Sequence, residues 1–154
     1  MEPRAGATSV AARKVASGPV MRERNLEVVR RSFEAFARGD FETAFAAFDP
    51  DAEWRTAEDE PDSRTYHGLE EVKRLAASFA EPWSDRFDRA VVPDEYIDLG
   101  DWVVVPTSGR VHGKGSGIEV EIRETYAVRL RGERIVRVEE YRTKERALEA
   151  VRRS

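Results

Sequence analysis

In the second half of this chain, apolar and polar residues alternate with a period of two, and this alternation constrains the fold more than any other feature. A period of two is typical of β-strands, because successive side chains point to opposite faces of a sheet. The alternating segments are 87–92 continuing to 96–99, 102–112, 118–130 and 134–142. Glycine-containing turns separate the later segments. The pattern predicts a meander of long antiparallel strands.

The first half of the chain has a helical period instead. Apolar residues recur at steps of three and four from Asn25 to Gly39, which predicts a first helix that ends at the glycine. Asp40 is a suitable N-cap for a second, short helix with an apolar stripe over residues 41–48. We expect Asp49-Pro50 to end it, because the residue before a proline disfavours helix.

Further along, a brief strand is predicted at 53–56, followed by a polar loop up to Gly68. Apolar spacing over 69–79 predicts a third helix that stops near Pro82, and Thr143 can cap a short terminal helix. Helices followed by consecutive strands predict an α+β fold in which the helices pack on one face of the sheet.

Composition limits the class of protein. The 154 residues suffice for one domain, and without cysteine the chain has no disulfide, thiolate metal site or cysteine nucleophile, which favours the cytoplasm. The net charge of −4 disfavours nucleic acid and anionic membranes as partners. No apolar run approaches the roughly 20 residues that span a bilayer.

Residues 1–20 are rich in alanine, glycine, serine and proline, and we predict a disordered tail there. Residues 21–154 then form the domain. Because Met21 directly precedes the first patterned segment, two explanations of the tail remain open: an over-long start, or a leader that the mature protein loses.

Four phrases of this sequence resemble the SnoaL-like family of the nuclear-transport-factor-2-like superfamily. They are VVRRSFEAFARGDFETAFAAFDPDAEW (28–54), YHGLEEV (66–72), IDLGDWVVV (97–105) and GERIVRVEEYRTKERALEAV (132–151). The resemblance implies a cone-shaped fold, in which a strongly curved, mostly antiparallel sheet and three N-terminal helices enclose a pocket, with a short C-terminal helix. It also implies a homodimer through the outer sheet face. Its relatives include polyketide cyclases, isomerases, epoxide hydrolases and members that only bind a ligand, so the fold does not choose the reaction.

Strand alternation indicates which residues face the pocket. In the strand 118–130 the predicted inward residues include Ile122, Glu124, Tyr126 and Val128. In the next strand they are Val136, Val138, Glu140 and Arg142. A charge on an apolar face is costly unless it is paired, so the two glutamates and the arginine are the informative residues.

Glu124 and Glu140 are the candidate acid and base, and Tyr126 or Arg142 the candidate stabiliser of developing negative charge. A buried ion pair is the structural alternative. The resemblance places Tyr126 where relatives often carry an aspartate or histidine, and a phenol is a poor base at neutral pH.

The remaining predicted pocket residues are apolar, aromatic or histidine. They are Trp54, Tyr66, His67, Ile122, Val128 and Val138. The resemblance places His67 at the pocket mouth, although a capping or loop role is the more usual one for a histidine next to a helix start.

Two functions remain open at this point. One is a cofactor-independent isomerase, cyclase or epoxide-hydrolase-type enzyme acting on a small, largely apolar molecule; the other is a ligand-binding or interaction domain without turnover. We predict no cofactor. We also predict no metal, because the acidic residues between Asp49 and Asp62 lack the spacing of a calcium loop. On the outer sheet face, arginines and glutamates alternate around Thr125, Ala127 and Tyr141, which suits a two-fold contact between identical subunits.

Overall fold

The computed structural model describes residues 19–80, 91–113 and 115–154. The helices are α1 (Pro19–Ala37), α2 (Phe41–Phe45), α3 (Leu69–Ala80) and α4 (Lys144–Arg153). The strands are β1 (Phe48–Arg55), β2 (Thr65–His67), β3 (Val91–Pro93), β4 (Ile97–Asp98), β5 (Trp102–His112), β6 (Glu119–Arg131) and β7 (Arg134–Tyr141). The predicted α+β class is therefore confirmed.

The seven described strands form one sheet in the order β2-β1-β7-β6-β5-β3, and β4 also pairs with β5, at Val103 and Val104. The pairs are antiparallel except for β1 with β7, which run parallel. This makes a curved, mostly antiparallel sheet, as predicted. Strands β5 and β6 pair over eleven residues, from Trp102 opposite Arg129 to His112 opposite Glu119, and form the longest hairpin.

The two faces of the sheet carry separate apolar cores. The larger core joins α1, α2 and α3 to the inner face; Val29, Phe48, Val72, Val128 and Val138 are among its buried residues. The smaller core lies under α4 on the other face, where Ala147 and Val151 pack with Val104 and Ala127. The N-terminal helices therefore pack on one face, as predicted, while the terminal helix covers part of the outer face.

The predicted helix signals at Gly39, Asp40 and Thr143 are observed; Asp40 caps α2 by accepting a hydrogen bond from the Thr43 backbone N–H. Helix α1 ends at Ala37, and Gly39 has a φ of 76°, the left-handed conformation that glycine adopts without strain. The side chain of Thr143 accepts a hydrogen bond from the Arg146 backbone N–H at 3.2 Å and so caps α4. Helix α1 begins at Pro19, ahead of the predicted start at Asn25.

The predicted end of the second helix is wrong. Helix α2 ends at Phe45, and Phe48 is the first residue of β1, where it pairs with Ile135 of β7. Pro50 lies inside β1 and not after a helix; it falls between Phe48 and Glu53, where the β1–β7 register shifts. A missing backbone N–H costs no ladder hydrogen bond in such an irregular stretch.

Two further differences arise from how the strands pair. The predicted loop before Gly68 contains β2, which pairs with β1 from Glu53 opposite His67 to Arg55 opposite Thr65. In β7 a register shift makes Ile135 the fully buried residue, whereas Val136, predicted to face inward, is half-buried.

Some predictions lie outside the described residues. These are residues 1–18 of the predicted tail 1–20, the helix stop near Pro82 and the strand segment 87–90; the last two tail residues belong to α1. Within the described parts of the chain, no helix combines the length and the apolar character needed to cross a membrane.

Candidate functional site

A cavity of about 480 Å³ lies between the helices and the inner face of the sheet. Its wall is mainly aromatic and aliphatic, and side chains from α1, β1, α3, β6 and β7 contribute to it. The apolar lining includes Phe33, Phe36, Phe41, Trp54, Tyr66, Val72, Leu75, Ala76, Ile122 and Tyr126. The charged lining is Glu60, Asp62, Glu121, Arg123, Glu124, Glu140 and Arg142. An apolar cavity with a few convergent polar groups is the usual form of a small-molecule site.

Glu140 projects into this cavity from β7 and is held by Trp54. The indole Nε1 donates a hydrogen bond to Glu140 Oε2 at 2.5 Å. The Trp54 ring is itself fixed by its neighbours: it stacks on Phe48 at 6.3 Å between centroids, and it meets Phe36 and Tyr126 edge to face. The orientation of the Glu140 carboxyl group is therefore set by an aromatic cluster of the core.

Glu124 lies on the neighbouring strand β6, opposite Thr107 of β5, and its side chain is only 12% exposed. Its Oε1 is buried and has no hydrogen-bond partner. Arg142 Nη1 lies 3.7 Å from this oxygen, which makes a charge contact and not a hydrogen bond. A buried carboxylate oxygen without a donor is costly, so this group is poorly stabilised in its ionised form.

Arg142 follows β7 and bridges the cavity to the loop after β1. Its Nε lies 3.2 Å from both carboxylate oxygens of Asp59, and Nη2 lies 3.9 Å from Glu60. Its side chain is 44% exposed. The positive charge of Arg142 is therefore shared among three acidic residues, Asp59, Glu60 and Glu124.

The two glutamates have the pKa values of groups that exchange protons near neutrality. The pKa of Glu124 is raised to about 7, mainly by burial and in part by the nearby charge of Glu140, while Arg142 opposes the shift. Burial also raises the pKa of Glu140 to about 7, against the hydrogen bond from Trp54. Burial raises the pKa of Tyr126 well above its ordinary value, so its phenol keeps its proton.

Glu60 was not predicted from the sequence as a site residue. One carboxylate oxygen from each of Glu60, Glu124 and Glu140 lies within 4.8 Å of the other two. In the sequence Glu60 stands among exposed acidic residues of a polar loop, and no periodicity marks it. We assign no metal to this group. The positive charge of Arg142 already lies beside Glu60 and Glu124, and Glu140 accepts a hydrogen bond from Trp54.

The structure brings together all four predicted catalytic candidates: Glu124, Tyr126, Glu140 and Arg142 line the same cavity. Of the predicted pocket residues, Trp54, Tyr66 and Ile122 also line it.

Three predicted pocket residues lie elsewhere. Val128 and Val138 are fully buried in the core and are not among the cavity-lining residues, because they sit deeper along the paired strands β6 and β7. His67 is exposed at the end of β2, where its Nδ1 lies 2.9 Å from Glu53 Oε2. Because β2 alternates, Tyr66 faces the cavity and its neighbour His67 does not.

The inner cavity, the curved mostly antiparallel sheet and the helices packed over it define a nuclear-transport-factor-2-like domain. Residues 29–138 match the model of the SnoaL-like domain, and the chain belongs to this family. No curated protein matches the chain.

Solved structures share the fold. An NTF2-like protein of unknown function from Burkholderia pseudomallei is 28% identical, with a TM-score of 0.65 over 84% of this chain and 95% of that one. A candidate SnoaL-like polyketide cyclase from Jannaschia is 19% identical, with a TM-score of 0.66 over 83% and 90%. A protein of ketosteroid isomerase-like fold from Catenulispora acidiphila, in complex with trimethylamine, is 18% identical, with a TM-score of 0.62 over 80% and 90%.

Proposed function

We propose that the domain binds a small, largely apolar molecule in its cavity and transfers protons on it without a cofactor, as an isomerase or cyclase does. One observation carries the proposal: carboxylate oxygens of Glu124 and Glu140 lie within 4.8 Å of each other in a mainly apolar cavity, and the pKa of each is about 7. A general acid or base works best when its pKa is near the working pH. Apolar surroundings are the means by which proteins raise a carboxyl pKa to that range.

The other cavity residues have supporting roles in this proposal. Tyr126 keeps its proton and can donate a hydrogen bond to negative charge that develops on the ligand. Arg142 contributes positive charge at the Glu124 side of the cavity. Epoxide hydrolysis, which would use Glu124, Arg142 and Glu140 as a relay, is less well supported, since Arg142 makes its shortest charged contacts with Asp59.

A ligand-binding domain without turnover is the second candidate. The observation that favours it is the set of internal partners: Trp54 holds Glu140, and Arg142 lies beside Glu124. Such contacts also occur in purely structural clusters.

Turnover of 5-nitrobenzisoxazole distinguishes the two candidates. A base removes the ring C–H proton of this probe, the N–O bond breaks, and the coloured phenolate is measured by absorbance. We expect the wild-type rate to rise as pH increases through about 7, and the double variant E124Q/E140Q to be slower by about 100-fold.

The matched control for this assay is Glu145→Gln, which makes the same chemical change on the exposed surface of α4. Its rate should equal that of the wild type. A double variant as fast as the wild type would rule out the glutamates as bases, and binding of the probe without turnover would favour the binding-domain candidate.

We also propose a homodimer through the part of the outer sheet face that α4 leaves uncovered. Arg137 and Glu139 lie on the outer face of β7, and mixed charges suit a contact in which each arginine meets a glutamate of the other subunit. Light scattering at micromolar concentration should return twice the subunit mass of 17.5 kDa. A mass equal to one subunit would contradict the dimer.

A cytoplasmic location is a further proposal, and it rests on the absence of cysteine.

A further inference from the structure

We infer that Trp54 gives the two cavity glutamates different roles, so that Glu140 carries the negative charge and Glu124 carries the proton. The inference rests on the proposed proton-transfer function and adds to it the direction in which protons move. It makes Trp54 a positioning residue, which acts on the ligand through Glu140.

The hydrogen-bond donors around Glu140 favour its ionised form. An indole N–H can donate but cannot accept, so the Trp54 bond at 2.5 Å requires a lone pair on Glu140 Oε2. The backbone N–H of Ala57 acts in the same direction. Donation to a carboxylate is a charge-assisted hydrogen bond and is stronger than donation to a neutral acid.

Glu124 has the opposite surroundings. Its Oε1 is buried with no donor, and the nearest cation, Arg142, is engaged by Asp59. A neutral carboxyl group does not need a donor at each oxygen, so protonation removes the cost of that burial. The titratable and charged groups that face the pair are Asp59, Glu60, Tyr126 and Arg142. The acidic members of this set further disfavour a second negative charge beside Glu140.

The proton balance follows from this assignment. Glu140 removes a proton from an acidic C–H or O–H group of the ligand, and the electron pair of the broken bond stays on the ligand. Glu124 gives its proton to an acceptor atom of the same ligand. The proton then returns from Glu140 to Glu124, whose oxygens lie within 4.8 Å, and the starting state is restored. A substrate must therefore present an acidic hydrogen to Glu140 and an acceptor atom to Glu124.

Trp54→Phe tests the inference, because it removes the N–H donor and keeps an aromatic ring in the cluster. The measurement is nuclear magnetic resonance of protein labelled with carbon-13 at the glutamate carboxyl group, titrated with pH. The variants E124Q and E140Q identify the two signals by their loss. We expect the Glu140 signal to titrate below the Glu124 signal in the wild type. In Trp54→Phe the Glu140 midpoint should rise by about 1 to 2 pH units, the value of one charge-assisted hydrogen bond.

Trp102→Phe is the matched control, since Trp102 packs in the smaller core, on the opposite face of the sheet from the cavity. It should leave both midpoints unchanged. A Glu140 midpoint that is unchanged in Trp54→Phe, or a Glu124 signal that titrates first, would overturn the inference even if the protein turns over 5-nitrobenzisoxazole. Conversely, the expected titrations without any turnover would contradict the proposed function and leave the charge assignment intact.

Discussion

Glu124→Gln is expected to stabilise the protein at about pH 8, by about 3 kcal/mol, and to change its stability little near pH 5. The pKa of Glu124 is raised from 4.5 to about 7 on folding, mainly by burial. Between these values the folded state binds more protons than the unfolded state, so the wild type loses stability as pH rises through this window. Glutamine copies the neutral acid and does not ionise. The variant therefore avoids that loss, and urea unfolding at the two pH values measures the difference.

Glu139→Gln is the control, and its expected effect on stability has the opposite sign to that of Glu124→Gln. This residue lies on β7 next to Glu140 but faces outward, where it accepts hydrogen bonds from Arg137 Nε at 2.5 Å and from the Tyr141 hydroxyl at 2.7 Å. These bonds hold its pKa below the usual value although burial opposes them. Its ionised form therefore stabilises the fold at neutral and higher pH, and that contribution is lost as pH falls through its folded pKa.

We expect Glu139→Gln to destabilise the protein at about pH 8, where Glu124→Gln stabilises it. A Glu124→Gln variant that is less stable than the wild type at this pH would contradict the expected gain. It would mean that Arg142 holds the Glu124 carboxylate as a structural ion pair.

The sequence predicted those features of the fold and the site that depend on residues close together in the chain. The alternation over 102–112 gave the bounds of β5, because both ends of that strand are marked by turns. The same alternation placed Glu124 and Glu140 on the cavity side, because β6 and β7 are neighbours joined by a short turn. Thr143 was predictable as a cap because its partner, the N–H of Arg146, is three residues away.

The predictions failed where the outcome depends on a partner that is distant in the chain. Phe48 fits the apolar stripe of a helix, but pairing with Ile135 of β7 places it in a strand. Glu60 joins the two glutamates only because the loop after β1 folds towards β7, and no local pattern encodes that approach. His67 and Tyr66 are adjacent, so the pairing of β2 with β1 decided which of them lines the cavity.

Ile135→Ala is expected to reduce the free energy of unfolding by about 3 kcal/mol, within the range for removing a buried aliphatic side chain. Ile135 is fully buried, pairs with Phe48 of β1 and Leu130 of β6, and belongs to the larger core. Simple alternation from Val138 would instead make Val136 the buried residue. The pairing of β6 with β7 shifts between Arg129 and Leu130, where β7 has one extra residue. This shift reverses which side chains of β7 face inward, so that Ile135 is buried instead of Val136.

Val136→Ala is the matched comparison, since it truncates the adjacent residue, which is only half-buried. It should cost less than about 1 kcal/mol, because a partly exposed side chain leaves a smaller cavity when it is shortened. Urea unfolding followed by tryptophan fluorescence gives both values under the same conditions. The larger loss must fall on Ile135 if the register shift is present. A larger loss at Val136 would mean that β7 follows unbroken alternation, and the irregular pairing of β7 with β6 would then be wrong.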